Sequence, residues 1–452
     1  MKLYDLIVAG AGPSGCIAAI AAARMGLDVL LIEKYGFAGG MNTAALVSPL
    51  MTFHAGKEQI IQGIAQEIID GLIDMGGCRG HIEDPLGVAS TITPIEPELL
   101  KPLYMQKLTG AKVNLLFHTY ISGLVMEEGI IKGLTCVNKS GIKTYEGRYF
   151  IDATGDGDVA VFARAEFSEG REKDGLTQPM TMLFKMGGVD ISKIKKTMAA
   201  NAEQFILNKN ITDIENMPYT AVSGFFDTLE TARQRGDFHI SRDRVLFFEG
   251  VRPGDVIVNM TRILNLKGTN AHDLVLAEIE GQKQVLEVKN FLIKYIAGFE
   301  KSYITAIGAQ IGVRETRRIR GNYTITKEDI LEGRVFDDSI ARGAFPIDIH
   351  DPSGNNLTWI VHDENSSYDI PYRSMVTKIS NLLVTGRCIS ATHEAIASIR
   401  ISATAMALGH AAGVAASIAV KDRTAFAEVD VRKLQAELCK QNASVSKVWP
   451  RK

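Results

Sequence analysis

The sequence predicts an α/β fold in which both ends of the chain build one parallel sheet around an inserted α+β domain. Three stretches predict it. Asp5 to Gly15 runs from an apolar strand into Gly-x-Gly-x-x-Gly and then an Ala-rich helix. Tyr149 to Asp158 and Asn381 to Arg387 repeat a buried strand that ends on a glycine turn. Between them, from about Ala165 to Phe345, charge rises and helix and strand patterns mix.

Leu6 to Ala9 has no room for a helix before the glycines, so it reads as a buried parallel strand. Gly10 permits the turn, Gly12 lets the backbone approach a pyrophosphate, and Gly15 lets the helix pack close to the sheet. N–H groups at the helix start face phosphates, so Gly10, Ala11, Gly12, Pro13, Ser14 and Gly15 form a candidate phosphate cradle. The helix Ser14 to Met25 ends at Gly26. A second strand, Leu27 to Ile32, ends on Glu33, followed by Lys34. Glu33 stands near the offset at which a carboxylate accepts ribose hydroxyls. A buried βαβ unit with chance glycines is the competing reading, and the fit on both flanks disfavours it.

Gly39, Gly40, Met41, Asn42 and Thr43 follow, where paired glycines let backbone lie against a ligand. Glu58 to Met75 has helical spacing and stops at Gly76-Gly77. Residues 80–95 read as a loop, and Pro97 opens a helix. Lys112 to Tyr120 reads as a strand whose last residue, Tyr120, is a candidate cofactor contact. Residues 121–148 alternate as a β-meander. Ala153, Thr154 and Gly155 would bring small residues near the adenine half of a dinucleotide.

In the middle region, Met180 to Gly187, Val256 to Met260 and Ile304 to Gly312 read as strands. Residues 193–208 and 271–296 read as helices, the second with a stripe through Leu274, Leu276, Ile279, Val285, Val288 and Leu292. Near the C-terminus, Ala403 to Val420 is a small-residue helix with Gly409 and Gly413 on one face. Its first N–H groups, near Ser402 and Ala403, direct a positive helix end outward. The expected boundaries are 1–164 and 346–425 for the nucleotide domain, 165–345 for the inserted domain, and 426–452 for a tail.

The chain has 452 residues and a formal net charge of −2, which argues against nucleic acid or an anionic membrane as a partner. No apolar stretch reads as a membrane span, and Asp5 interrupts the first apolar run, which favours a strand over a signal peptide. Five cysteines lie scattered without a Cys-x-x-Cys pair, so no disulfide framework or metal site is expected and a reducing cytoplasm fits.

The motifs together resemble the FAD-dependent oxidoreductases of the glutathione-reductase-like superfold. The resemblance is closest to a bacterial subfamily mostly without assigned substrates. It rests on Gly10–Gly15, Gly39–Thr43, Asp152–Asp158, Gln178–Thr181, Gly312–Ile319 and Gly386–Glu394, and runs to about residue 420. It implies a Rossmann-like FAD-binding domain of glutathione-reductase type with an inserted α+β substrate domain. It also implies that Gly386 and Arg387 serve the pyrophosphate and ribityl region, and that Ser402 and Ala403 face the flavin. Aromatic hydroxylases of this superfold carry Gly-Asp where Gly386-Arg387 stands, and disulfide reductases carry a cysteine pair near Cys16, so neither chemistry is implied. No histidine is placed for covalent attachment, so the expected cofactor is non-covalent FAD.

Flavin chemistry asks the protein for a substrate anchor and a proton handler. Arg314 and Arg400 are candidate anion anchors, and a structural pairing is preferred for Arg317 and Arg318. His350 shares a strand face with Asp348 and is a candidate acid or base, as is His393. The expected reaction moves a hydride between a small polar organic substrate and flavin N5. Quinone, a flavoprotein, NAD(P)H and oxygen all fit as electron partner, and a homo-oligomer is common at this size. Two other readings are a non-redox isomerase or hydratase, separated by flavin reduction with substrate, and a dinucleotide-binding module without FAD, which would be colourless.

Overall fold

Three larger apolar cores organise the chain, a first and a second on the two faces of the sheet at the glycine loop and a third in the inserted region. The computed structural model describes residues 2–351, 357–360 and 366–448. Strand β1 (Leu3–Ala9) turns through Gly10 into helix α1 (Pro13–Arg24), and Gly26, at φ +95°, leads out of the helix. β2 (Val29–Ile32) pairs parallel with β1, and β3 (Asn114–Leu116) pairs parallel with β2. β4 (Tyr120–Glu127), β5 (Ile130–Asn138) and β6 (Gly141–Asp152) form the expected meander. β6 does more than close it. Its first residues pair with β5, and its last run parallel to β1, from Leu6↔Tyr149 to Ala9↔Asp152. One strand therefore joins two motifs that the sequence separates.

The inserted region holds a five-stranded antiparallel sheet made of β7 (Phe184–Gly187), β8 (Ala221–Gly224), β9 (Val245–Glu249), β10 (Val256–Val258) and β11 (Tyr303–Ile307). Its spatial order is β8-β9-β10-β7-β11. Helix α2 (Ala271–Tyr295) starts at Asn270, whose side chain accepts from the His272 and Asp273 N–H groups. α2 buries Ala277, Val285, Val288 and Leu292 in one core with Phe184 and Val258. β12 (Ile347–His350) pairs with Leu357–Ile360, and β13 (Leu382–Val384) returns parallel to β6, with Asp152↔Val384 in register. Helix α3 (Ser402–Asp422) then packs along α1.

Several sequence expectations change. The helix expected over 58–75 is Ile64–Asp74; Gly63, at φ +62°, stops it, and Glu58–Gln59 pairs instead with His54–Ala55. Residues 80–95 include paired strands Ile82–Glu83 and Thr91–Thr93. The helix expected over 193–208 runs Ile191–Ala200. In the α2 stripe, Leu276 and Ile279 are exposed by 41% and 50%, because α2 is covered on one side only. Ile325, Ile330, Ile340 and Ala344 lie in the first core, so chain assigned to the inserted domain up to 345 packs with the nucleotide-binding half. Among the described residues, α3 is long and apolar enough to cross a membrane, contrary to the sequence reading; 89% of its apolar window is buried inside the fold.

The burial of α3 depends on its glycines. A Cβ on Gly409 would overlap the Ser14 carbonyl oxygen, and one on Gly413 would overlap that of Ala18. α1 and α3 thus meet backbone to backbone. Gly409→Ala is expected to destabilise the fold by about 3 kcal/mol, at the upper end of overpacking costs, because a helix backbone cannot shift like a side chain. Urea unfolding of the variant checks this, and an unchanged midpoint would reject the contact.

Candidate functional site

The carboxyl ends of β1, β2, β6 and β13 converge on the first turn of α3, as register aligns Ala9, Asp152 and Val384. Loops from these ends enclose a cavity of about 600 Å³ that extends to the inserted sheet. A crevice at the carboxyl ends of parallel strands is where ligands bind in open α/β sheets.

One wall carries the glycine motifs. Gly10, Gly12, Pro13 and Ser14 line it, with Gly40 and Met41 beside them. Glu33, Lys34 and Tyr120 flank one end, and Ala153, Thr154 and Gly155 form the adjoining floor. Gly386, Arg387 and Ser402 complete this side. The Ser14 hydroxyl lies 2.8 Å from that of Thr385, which ties the first glycine loop to the third. Arg387 is held by Asp156 at 2.7 Å.

Six other candidates stand one layer behind. The Ala11 N–H donates to Glu33 Oε2 at 2.7 Å, and Gly39 N–H donates to the Ala11 carbonyl at 2.8 Å. Asn42 Nδ2 donates to the Val47 carbonyl at 2.8 Å, and the Thr43 hydroxyl to that of Ala38 at 2.9 Å. Gly15 packs where a Cβ would overlap the Gly10 oxygen. Ala403 is fully buried in the first core rather than facing the cavity. Glu33 also accepts from the Tyr35 N–H at 3.1 Å; burial raises its pKa against these two donors.

The glycines differ in what requires them. A Cβ on Gly10 would sit 2.6 Å from the Ala153 oxygen, at φ +93°. Gly12 has ordinary φ, −69°, and its nearest neighbour to a Cβ would be the Gly40 Cα at 4.0 Å. The fold itself leaves Gly12 room for a side chain, in space that opens into the cavity.

The opposite wall is cationic. Arg242, Arg314 and Arg400 line it with Asp348 and His350. Arg314 Nη1 donates to the Pro179 carbonyl at 2.6 Å and to the Thr181 hydroxyl. Arg400 Nη2 lies 3.6 Å from Asp348 Oδ2 and 3.4 Å from Gln178 Oε1. Arg242 Nη2 donates to the Asn259 carbonyl at 2.8 Å, and Arg262 Nη2 to that of Asp351 at 2.9 Å. The buried Nε atoms of Arg242, Arg262 and Arg400 have no protein partner. Burial lowers the Arg314 pKa well below its usual value, and repulsion from Arg400 and Arg242 adds to this. Burial likewise lowers Arg242 to about 10, with Arg262 contributing.

His350 Nε2 lies 3.2 Å from Asp348 Oδ2. Burial opposes charge on Asp348, yet His350, Arg400 and Arg314 hold its pKa below the usual carboxylate range. Burial pushes His350 down to about 3, and Asp348 only partly offsets it. An ionised Asp348 accepts only, which assigns the proton of a neutral His350 to Nε2 and leaves Nδ1 as the acceptor.

Sequence reasoning brings Arg314, Arg400 and His350 to the right place. It misses Arg242, which sits in the charged run Ser241 to Arg244, and its neighbour Arg262. His393 is corrected. Its Nδ1 lies 2.9 Å from Glu315 Oε1, and it is buried away from the cavity. Glu315 also pairs with Arg318 and accepts from the Gln178 N–H at 3.1 Å, so this cluster braces the wall from behind. Arg317 pairs with Asp158 at 2.5 Å, as a structural reading predicts.

Comparison with known proteins fits this geometry. The chain is 32% identical over 167 residues to a tRNA uridine 5-carboxymethylaminomethyl modification enzyme MnmG from Geobacter sulfurreducens, covering 34% of this chain and 24% of that protein. It is 31% identical over 160 residues to digeranylgeranylglycerophospholipid reductase 2 from Methanopyrus kandleri, covering 34% and 37%. The chain therefore matches well under half the length of either relative. A geranylgeranyl bacteriochlorophyll reductase-like structure from Thermoplasma acidophilum aligns over 98% of this chain and 85% of that one, with 14% identity and a TM-score of 0.46. The model of one family, FAD dependent oxidoreductase, matches residues 5–438. With that match across nearly its whole length, this chain belongs to the FAD dependent oxidoreductase family.

Proposed function

We propose that this enzyme oxidises or reduces a small organic anion, with non-covalent FAD held in a glutathione-reductase-type arrangement. The observation that carries the substrate reading is the buried cationic wall. Arg242, Arg262, Arg314 and Arg400 share one cluster, in which Asp348 faces Arg314 and Arg400 while Asp243 and Asp351 also act on Arg262. Arg244, Arg387 and Arg171 are matched by Asp243, Asp156 and Asp174. Gathering like charges out of water is costly unless an anion joins them. Guanidinium forks suit a carboxylate.

The residues fit FAD. Gly12 leaves room that the fold does not fill, and the α1 N–H groups open onto it. Gly10, Gly12, Pro13 and Ser14 would hold the pyrophosphate, Glu33 the ribose, and Gly40, Met41 and the α3 start at Ser402 the flavin end. Lys34, Tyr120, Ala153, Thr154 and Gly155 would frame the adenosine. Bound FAD supplies the hydride acceptor or donor. Arg314 and Arg400 bind and orient the anion. His350 Nδ1 takes a proton from a substrate hydroxyl or amine, and Asp348 fixes the imidazole for it. Four buried thiols and a fifth that is half-buried, none in a disulfide, support a reducing, cytoplasmic setting.

The test is anaerobic bleaching of the bound flavin by a panel of hydroxy acids and their matching hydroxy amides. Acids are expected to bleach and amides not. Arg314→Met is expected to keep its FAD and raise the concentration needed for half-maximal bleaching about 100-fold, the loss of a charged hydrogen bond. Bleaching by amides as readily as by acids would reject the anion.

A further inference from the structure

We infer that the substrate's anionic group is followed by an apolar tail, seated on a hydrophobic wall next to the arginines. The inference rests on the anionic-substrate reading above. Arg244 immediately precedes β9, and residues 246 and 248 within it share one face. Arg244, Leu246 and Phe248 all line the cavity, and the Arg244 head is matched by Asp243, with Nε to Oδ1 at 3.0 Å. Beyond it Leu246 and Phe248 present hydrocarbon, with Ser223 of β8 paired beside Leu246.

Leu86 and Val88 face the same space from the loop after Ile82–Glu83, and Met51 adjoins them. These five side chains form one contiguous apolar cluster with Tyr219 and Ala221. The loop is built to present them. Asp84 is fully buried, and its carboxylate accepts from the N–H groups of Leu86 at 3.0 Å and of Val88 and Ala89 at 2.9 Å. Its acceptors serve the loop rather than a ligand. Val88, Leu246 and Met51 are only half-buried, so their apolar surface faces the cavity. Water gains little on such a wall, while a hydrocarbon tail is stabilised by leaving water.

The experiment titrates FAD-loaded enzyme calorimetrically with straight-chain carboxylates, acetate to octanoate, and with the alcohols of equal length. Affinity is expected to tighten about threefold to fourfold per methylene, the factor for burying one CH₂. Leu246→Gln is expected to weaken octanoate at least tenfold more than acetate, with FAD content and thermal midpoint retained. A flat carboxylate series, or a slope that Leu246→Gln leaves unchanged, overturns the tail while the anion site stands. Alcohols binding as tightly as carboxylates overturn the anionic head while the apolar wall stands. Absence of binding in both series overturns both.

Discussion

Gly12→Glu gives a folded, colourless protein. The expectation comes from the contrast among three glycines of one loop. Gly10 and Gly15 are required by the protein, since a Cβ at either would meet Ala153 or Gly10 backbone. Gly12 is not, since its φ of −69° suits any residue and a Cβ there would have its nearest protein atom 4.0 Å away. On the proposed placement, what excludes a side chain at Gly12 is the ligand. A Glu there would fill the pyrophosphate position and repel it. FAD affinity is expected to fall at least 1,000-fold, from lost contacts and like charge together. Gly12→Ala is expected to keep the thermal midpoint of the FAD-free protein within about 2 °C and still lose FAD, whereas Gly15→Ala is expected to fold poorly. Flavin absorbance after gel filtration, read beside the melting curve, decides it. Stoichiometric FAD in Gly12→Glu would remove the pyrophosphate from this loop.

The same contrast explains how much of the molecule was readable beforehand. Local signals gave the nucleotide-binding half: apolar strand, glycine turn and small-residue helix lie side by side in sequence, and the Gly409–Gly413 spacing marked a face for close packing, whose partner, α1, only the structure supplies. The loop lining was readable to within one layer, because a motif marks a stretch and not which side chains face inward. Ala403 shows this, sitting one position beyond Ser402 but buried in the core. The cationic wall was half legible. Arg314 lies in a motif, His350 in an alternating strand with Asp348 and Arg400 just before the small-residue helix, but Arg242 and its neighbour Arg262 flank β9 and β10, whose antiparallel pairing no local pattern encodes. His393 misled because adjacency to the site in sequence is not exposure to it. Its ring is claimed by Glu315, 78 residues away.

His350→Ala is expected to retain FAD and to slow flavin reduction by an accepted substrate about 100-fold to 10,000-fold, the range for a lost general base. Two properties of the imidazole sharpen the test. With its pKa pushed down to about 3, His350 stays neutral across the physiological range, so the parent's reduction rate should show no acid limb near pH 6.5 from this group. Its second signature is in stability. The unfolded chain takes up a proton at the ordinary histidine value of about 6.5, while the folded state resists until about 3. The unfolded state therefore binds more protons between these values, and stability must fall as pH drops through that window. Asp348, whose pKa is also depressed, contributes in the same direction only below its own unfolded value. His81, lowered to about 4, and Asp158, raised to about 6, also titrate differently in the two states across this window, so the His350 contribution is read as the difference between parent and variant in urea unfolding at pH 7, 6 and 5. His350→Ala should lose less stability than the parent on going from pH 7 to 5. Slow reduction with an altered pH slope identifies a buried, neutral base. Unchanged reduction with an altered slope makes His350 a structural partner of Asp348, and proton handling then has to come from another group on the cationic wall.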